Sequence, residues 1–308
     1  MKRFFAAVAA LGISAAAAFA QDFNAAVDAF NAGAQALETS KTEALAQFRS
    51  ALEIAKACTE EEAAELAVKC KEVIGSTLMS IAKEQINDAL YDEALATLAE
   101  AKAVAAEYEL ESVAAEAESL VPNVYLRKGS TLLKAKDFAA AAEAFGKVTE
   151  ITPEDGQAHL LLGQALMQAG NINEAIPALE KAAALGKEEQ SGKLLSTLYL
   201  KMGQGYLKAG KNSEAVNALE KSIGYAPSAN AYKLMANALT KSGKSAQAIE
   251  AYKSYLQISP DAADAADIMF TIAATAQKAG DKATAKEYYK KLAGSKYAAQ
   301  AEAQLKTL

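Results

Sequence analysis

The chain has no tryptophan, one histidine, two cysteines and five prolines in 308 residues. With His159 as the only histidine, neither a histidine-based nucleophile pair nor a histidine-rich metal site can be assembled. Two cysteines without further ligands do not hold a metal. No metal, no cofactor and no catalysis are expected. Basic residues number 32 against 38 acidic ones, a net charge of −6. Without a cluster of Lys and Arg to neutralise phosphates, nucleic acid is a poor partner. Strand-like runs are missing too, and beyond residue 20 nothing approaches the roughly 20 apolar residues of a membrane-spanning helix. What is abundant is alanine within a 52% hydrophobic composition, which suits closely packed helices.

The first twenty residues read as a targeting segment. Lys2 and Arg3 give a basic start, Phe4 to Ala18 form an apolar stretch, and Ala18 and Ala20 are small residues flanking Phe19, as a signal peptidase requires. Cleavage is expected before Gln21, the alternative being an uncleaved anchor. Losing Lys2 and Arg3 without losing any acid moves the net charge from −6 to −8. An exported location, periplasmic or at the cell envelope, follows as an expectation.

The rest of the chain repeats itself. In the clearest unit Tyr199 opens a helix, Gly203 leaves room for a second helix, and Tyr206 packs one turn on. A Gly210-Lys211 turn leads into the second helix, where Ala215, Leu219 and Ser222 share one face, and Pro227 ends the unit. Four more units follow this register. One has Tyr125, Gly129, Leu132, Ala141, Phe145 and Pro153, and the next has His159, Gly163, Leu166, Ala175 and Leu179. The last two carry Tyr232, Ala236, Ala248, Tyr252 and Pro260, then Met269, Ala273, Ala285 and Tyr289. The turn recurs as Gly170-Asn171, Gly243-Lys244 and Gly280-Asp281.

This pattern resembles the tetratricopeptide repeat, a 34-residue helical hairpin. The resemblance implies an all-α, right-handed helical-hairpin solenoid of about seven repeats that holds proteins in place of catalysing reactions. The domains expected are a signal peptide over 1–20, atypical repeats over 21–121, a regular array over 122–294 and a capping helix over 295–308. In the atypical part Gly33, Ala44 and Phe48 mark one unit and Ala82, Ala94 and Leu98 another. Each is followed by an extra helical stretch, with Gly75 and Pro122 expected to break it. Pro177 is expected in the first turn of a helix capped by Asn173.

In the family, a partner segment commonly lies along the first helix of each pair. The corresponding positions are Asn123, Leu126, Ser130 and Lys134; Leu160, Gln164 and Gln168; and Leu200, Gln204 and Lys208. They continue as Lys233, Asn237 and Lys241, then Phe270, Gln277 and Lys278. Lys134, Lys208, Lys241 and Lys278 share one register position, which suits a protein or peptide partner with acidic side chains or a free C-terminus. Lysine is also favoured there by the helix dipole alone. Lys233 and Asn237 resemble part of the family's carboxylate clamp, but Thr271 stands where the next asparagine belongs, so the clamp is not expected. Another use of the same groove is a small-ligand or glycan module with Tyr255, Tyr288 and Tyr289 as a stacking platform. His159, at a repeat packing position, is read as structural.

Cys58 and Cys70 would meet an oxidising compartment after export, which favours a disulfide. Helical spacing separates them by roughly 15 Å at ~1.5 Å per residue, more than a bridge spans. A disulfide and two buried thiols both remain open, and the oligomeric state is not encoded in any motif.

Overall fold

A computed structural model describes residues 23–308; the targeting segment expected over 1–20 lies outside the described residues. The described residues form helices α1 (Phe23–Ala36), α2 (Lys41–Ala57), α3 (Glu61–Asn87), α4 (Tyr91–Tyr108), α5 (Glu111–Lys134), α6 (Phe138–Ile151), α7 (Gly156–Ala169) and α8 (Ile172–Ala182). After a wide turn at Ala183–Lys187 come α9 (Glu188–Lys208), α10 (Asn212–Tyr225), α11 (Ala229–Lys241), α12 (Ser245–Ile258), α13 (Ala265–Lys278), α14 (Lys282–Lys291) and α15 (Ala298–Leu305). No strand occurs among the described residues. The fold is the expected all-α solenoid of helical hairpins. Two compact units divide it, one ending at Arg127 and the other running from Lys128 to Leu308.

Each hairpin is made by one close approach. A Cβ added at Gly33 would come within 2.7 Å of the Phe48 ring, and one at Gly129 within 2.7 Å of Phe145. At Gly163 and Gly203 it would come within 2.6 Å of Leu179 and Leu219. A large second-helix side chain thus fills the space where the first helix has no Cβ. Phe48, Phe145, Leu179 and Leu219 are all at or below 1% exposure. Burying such a side chain is worth about 1.5–3 kcal/mol, more than the ~1 kcal/mol that a mid-helix glycine costs. In the later repeats Ala236 and Ala273 replace the glycine and Tyr252 and Tyr289 supply the knob, all four buried.

The turns share one closure. The amide of Asn171 bonds the Leu166 carbonyl at 2.9 Å, Lys211 bonds Tyr206 at 2.9 Å, Lys244 bonds Leu239 at 2.9 Å and Asp281 bonds Ala276 at 2.9 Å. These are six-to-one bonds of a Schellman motif, whose preceding residue takes a left-handed backbone. Gly170, Gly210, Gly243 and Gly280 accept that at φ of 73–87°. Asp137 bonds Leu132 and Leu90 bonds Gln85 in the same way, and there Lys136 and Ala89 adopt φ near 60°. Asp137, Asp155, Ser228 and Asp281 cap the helices that follow them.

In the N-terminal unit, α1 pairs with α2 and α3 with α4, around Phe48, Leu52, Ile74, Leu78 and Leu98. The expected breaks do not occur. Gly75 sits inside the 27-residue α3, where a Cβ would meet Leu110 at 2.9 Å and Val113 at 3.2 Å. It is there for close packing and does not stop the helix. Pro122 lies inside the 24-residue α5; a proline removes one backbone donor, and α5 continues past it to Lys134. Cys58 and Cys70 are not joined in a disulfide. Cys58 donates to the Ile54 carbonyl at the end of α2, and burial in α3 pushes the Cys70 thiol up to about 11.

In the C-terminal unit, α7 pairs with α8, α9 with α10, α11 with α12 and α13 with α14. Asn171, not Asn173, occupies the cap of α8, so Pro177 lies in the second turn of that helix. Between α8 and α9 the chain inserts a turn in which Gly186 is left-handed. This turn packs on the start of α7, where a Cβ on Gly156 would meet the Leu185 carbonyl at 2.7 Å. The lengthened α9 is joined to α10 by a buried hydroxyl pair, Ser196 and Ser222, with Ser222 donating to the Ser196 carbonyl at 2.8 Å. At the end, Ala301 of α15 is buried, with Tyr297 and Leu305 against the same core.

The close approach is directly testable. Gly203→Val should lower unfolding free energy by about 1–3 kcal/mol through overpacking against Leu219. Gly205→Ala, two residues away with nothing near its added Cβ, should raise it by up to about 1 kcal/mol. Urea denaturation of both variants checks the contrast.

Candidate functional site: the first-helix face of the C-terminal unit

Of the expected groove residues, Asn123 and Leu126 belong to the N-terminal unit, the former exposed and the latter half-buried. The others lie in the C-terminal unit and fall into two groups.

Lys134, Lys208, Lys241 and Lys278 are exposed and stand in the last turns of α5, α9, α11 and α13. None has an ion-pair partner among the described residues. Each sits one turn or so past its helix's close-packing residue, just before the Schellman turn. In the repeat of α7 this position is the exposed Gln168. Gln164 and Gln204, next to the packing glycines, are half-buried. Leu160 is 7% exposed and belongs to the core, so it does not line a surface.

The second group is engaged within the fold. Lys233 of α11 donates to the Asp264 carboxylate, which also accepts the Tyr255 hydroxyl. The lysine holds the Asp264 carboxyl below its ordinary value, with the tyrosine adding to the effect. The same hydrogen bond raises Lys233. Asn237 accepts the Tyr252 hydroxyl at 2.6 Å. Gln277 accepts the Tyr289 hydroxyl at 2.8 Å and donates to Gln304 of α15 at 2.9 Å. Phe270 stacks on Tyr297, with ring centroids 4.6 Å apart. These groups therefore satisfy the tyrosine knobs and fasten the C-terminal helix. Their register suggested a surface role because sequence alone does not show that a neighbouring helix brings a hydroxyl or a carboxylate to them.

Asp264 and Asp267 were the residues the sequence reading missed. Asp267 accepts the Tyr297 hydroxyl at 2.6 Å and pairs with Lys296 at 2.6 Å. The signal was the acidic start of α13, with Asp264 at its N-cap and Asp267 in its first turn. Tyr255, Tyr288 and Tyr289 are 2–7% exposed, so they offer no open stacking platform. His159 is half-buried, with Nε2 2.9 Å from the Pro153 carbonyl. No group of three or more His, Cys, Asp or Glu placed to hold a metal occurs among the described residues.

Stacked helical hairpins with a repeated polar register on one helix define a helical repeat protein. Two stretches of the chain, residues 126–189 and 200–263, match the tetratricopeptide repeat family. Among solved structures the chain is similar to one described as a crystal structure of MamA protein, at 24% identity and a TM-score of 0.37, over 57% of this chain and 91% of that one. MamA from Desulfovibrio magneticus RS-1 matches at 19% identity and 0.34, over 56% and 92%. YrrB, described as a TPR protein with an unusual peptide-binding site, matches at 17% identity and 0.34, over 60% and 91%. No curated protein matches significantly. The tetratricopeptide fold supports a protein–protein interaction scaffold.

The Asp264 cluster has a pH signature. Because its folded pKa is depressed, its contribution is present above the ordinary value of 3.8 and is lost as pH falls through the folded value. Asp264→Asn should cost under about 1 kcal/mol at pH 7, since the pair is partly exposed. The gap between wild type and variant should close in acid, as read by urea titrations across pH.

Proposed function

We propose that the protein is a non-enzymatic, exported scaffold of the bacterial cell envelope that holds a partner segment along the first helices of its C-terminal unit. The observation that carries this reading is the set of exposed, unpaired lysines Lys134, Lys208, Lys241 and Lys278 at one register position in four of five hairpins, the α7 hairpin having Gln168 there. Four like charges repeated along helix ends, in a protein of net charge −6, offer a local attraction that the chain's own carboxylates leave unused. A partner with acidic side chains or a free C-terminal carboxylate matches them. Gln164, Gln168 and Gln204 add amides that both donate and accept. The engaged residues Lys233, Asn237 and Gln277 hold the helices that present this line.

Export rests on the basic, apolar and small-residue succession over residues 1–20. Expression in a Gram-negative host, followed by fractionation and N-terminal sequencing, should recover a periplasmic chain beginning at Gln21. Full-length protein confined to the cytoplasm would refute export.

The groove is tested by affinity capture from envelope extract with wild type and with the triple variant Lys208→Glu, Lys241→Glu and Lys278→Glu. These side chains are exposed, so folding is retained. Specific partners should be lost from the variant, and capture by wild type should weaken as salt is raised. The same partners recovered in equal yield from both proteins would remove the lysine line from the binding site.

A further inference from the structure

The repeats deviate from their own rule at one place on the opposite, second-helix side. A cleft of about 710 Å³ opens between α6 and α8, with α7 as its floor. Leu162 and Leu166 form the floor, and Ala139, Ala142, Gly146, Pro177 and Ala178 the walls. Both walls lack a long side chain that the register holds elsewhere. The position of Gly146 is Glu180, Glu220, Lys253 and Lys290 in the other hairpins of this unit, and that of Pro177 is Glu143, Asn217, Glu250 and Glu287.

Neither substitution is explained by packing within the fold. Unlike Gly129, Gly163 and Gly203, Gly146 has nothing within 4 Å of an added Cβ, although a mid-helix glycine costs about 1 kcal/mol. Pro177 deprives the Asn173 carbonyl of its usual helical donor, and Asn173 also lines the cleft. The rim is acidic. Glu143 and Glu174 have no ion-pair partner among the described residues, while Lys181 is tied to Glu154 at 3.3 Å.

We infer that this cleft is a second docking site, for a peptide segment of a partner protein that carries a large apolar side chain beside a lysine or arginine. The trough between two helices accepts the apolar side chain over Leu162 and Leu166. Glu143 and Glu174 meet the flanking cation, and the Asn173 carbonyl offers a backbone acceptor. The volume lies within the range of peptide and ligand clefts. Its charge is opposite to that of the lysine line, so one unit would engage two segments of opposite character on its two sides. This inference is independent of the lysine groove.

A random-peptide phage library selected on the full chain tests it. Enriched sequences should pair Leu, Phe or Met with a nearby Lys or Arg. A fluorescein-labelled representative should lose about tenfold or more in affinity on the double variant Gly146→Gln and Pro177→Gln. That variant fills the cleft with uncharged, helix-favouring side chains, and its thermal midpoint should equal or exceed that of wild type. Glu143→Gln with Glu174→Gln should weaken the peptide several-fold, and the triple lysine variant should bind it as wild type does. The inference is overturned if no sequence is enriched, if enriched sequences are acidic, if the filled variant binds undiminished, or if the lysine variant loses the peptide.

Discussion

A large side chain of one helix seated where its neighbour has a glycine or an alanine is the contact on which the rest of this molecule depends. Gly33 with Phe48, Gly129 with Phe145, Gly163 with Leu179 and Gly203 with Leu219 bring the two axes of a hairpin close enough to exclude water. A single hairpin cannot bury its whole apolar stripe, so each one needs the next, and stability accumulates from neighbour to neighbour. The Schellman turns keep this arrangement in register. Their six-to-one bonds set the second helix at a fixed offset from the first, so residues equivalent in sequence become equivalent in space.

That equivalence divides the polar residues of the first helices. Positions just before the turn project beyond the contact, which is why Lys134, Lys208, Lys241 and Lys278 stay exposed. Positions beside the contact meet whatever knob the second helix carries. Where the knob is leucine, as opposite Gly163 and Gly203, the adjoining Gln164 and Gln204 keep their amides for other use. Where it is tyrosine, the hydroxyl must be satisfied on burial, and Asn237 and Gln277 are taken up in doing so. The last two hairpins therefore gain hydrogen-bonded rigidity, reinforced by Asp264 and Asp267, and lose free groups on their first helices.

Departures from the repeat carry separate information. Gly75 permits Leu110 and Val113 to close on the long α3. The Ala183–Lys187 turn covers the start of α7 through Leu185. Both departures are explained by packing. Gly146 and Pro177 are not, since they remove bulk and fill no space, and they leave apolar floor and unpaired carboxylates facing solvent.

The hairpins, their turns and their packing pairs were legible in the sequence because they depend on spacing within a few tens of residues. Helical periodicity, a small residue in the first helix and a large one a fixed distance on are local patterns, and they survive the change from glycine to alanine and from leucine to tyrosine. The sequence also marked the exposed lysines, since a helix-end position is defined by the turn that follows it. Other features were decided only by tertiary structure. Whether Gly75 or Pro122 stops a helix depends on which side chains arrive against it. The engagement of Lys233 and Gln277 depends on Asp264, Tyr289 and Gln304 approaching from other helices. The cleft between α6 and α8 exists because two shortened side chains, far apart in the chain, face the same gap. Such facts follow from which surfaces meet, a property of the stacked helices that no single segment contains.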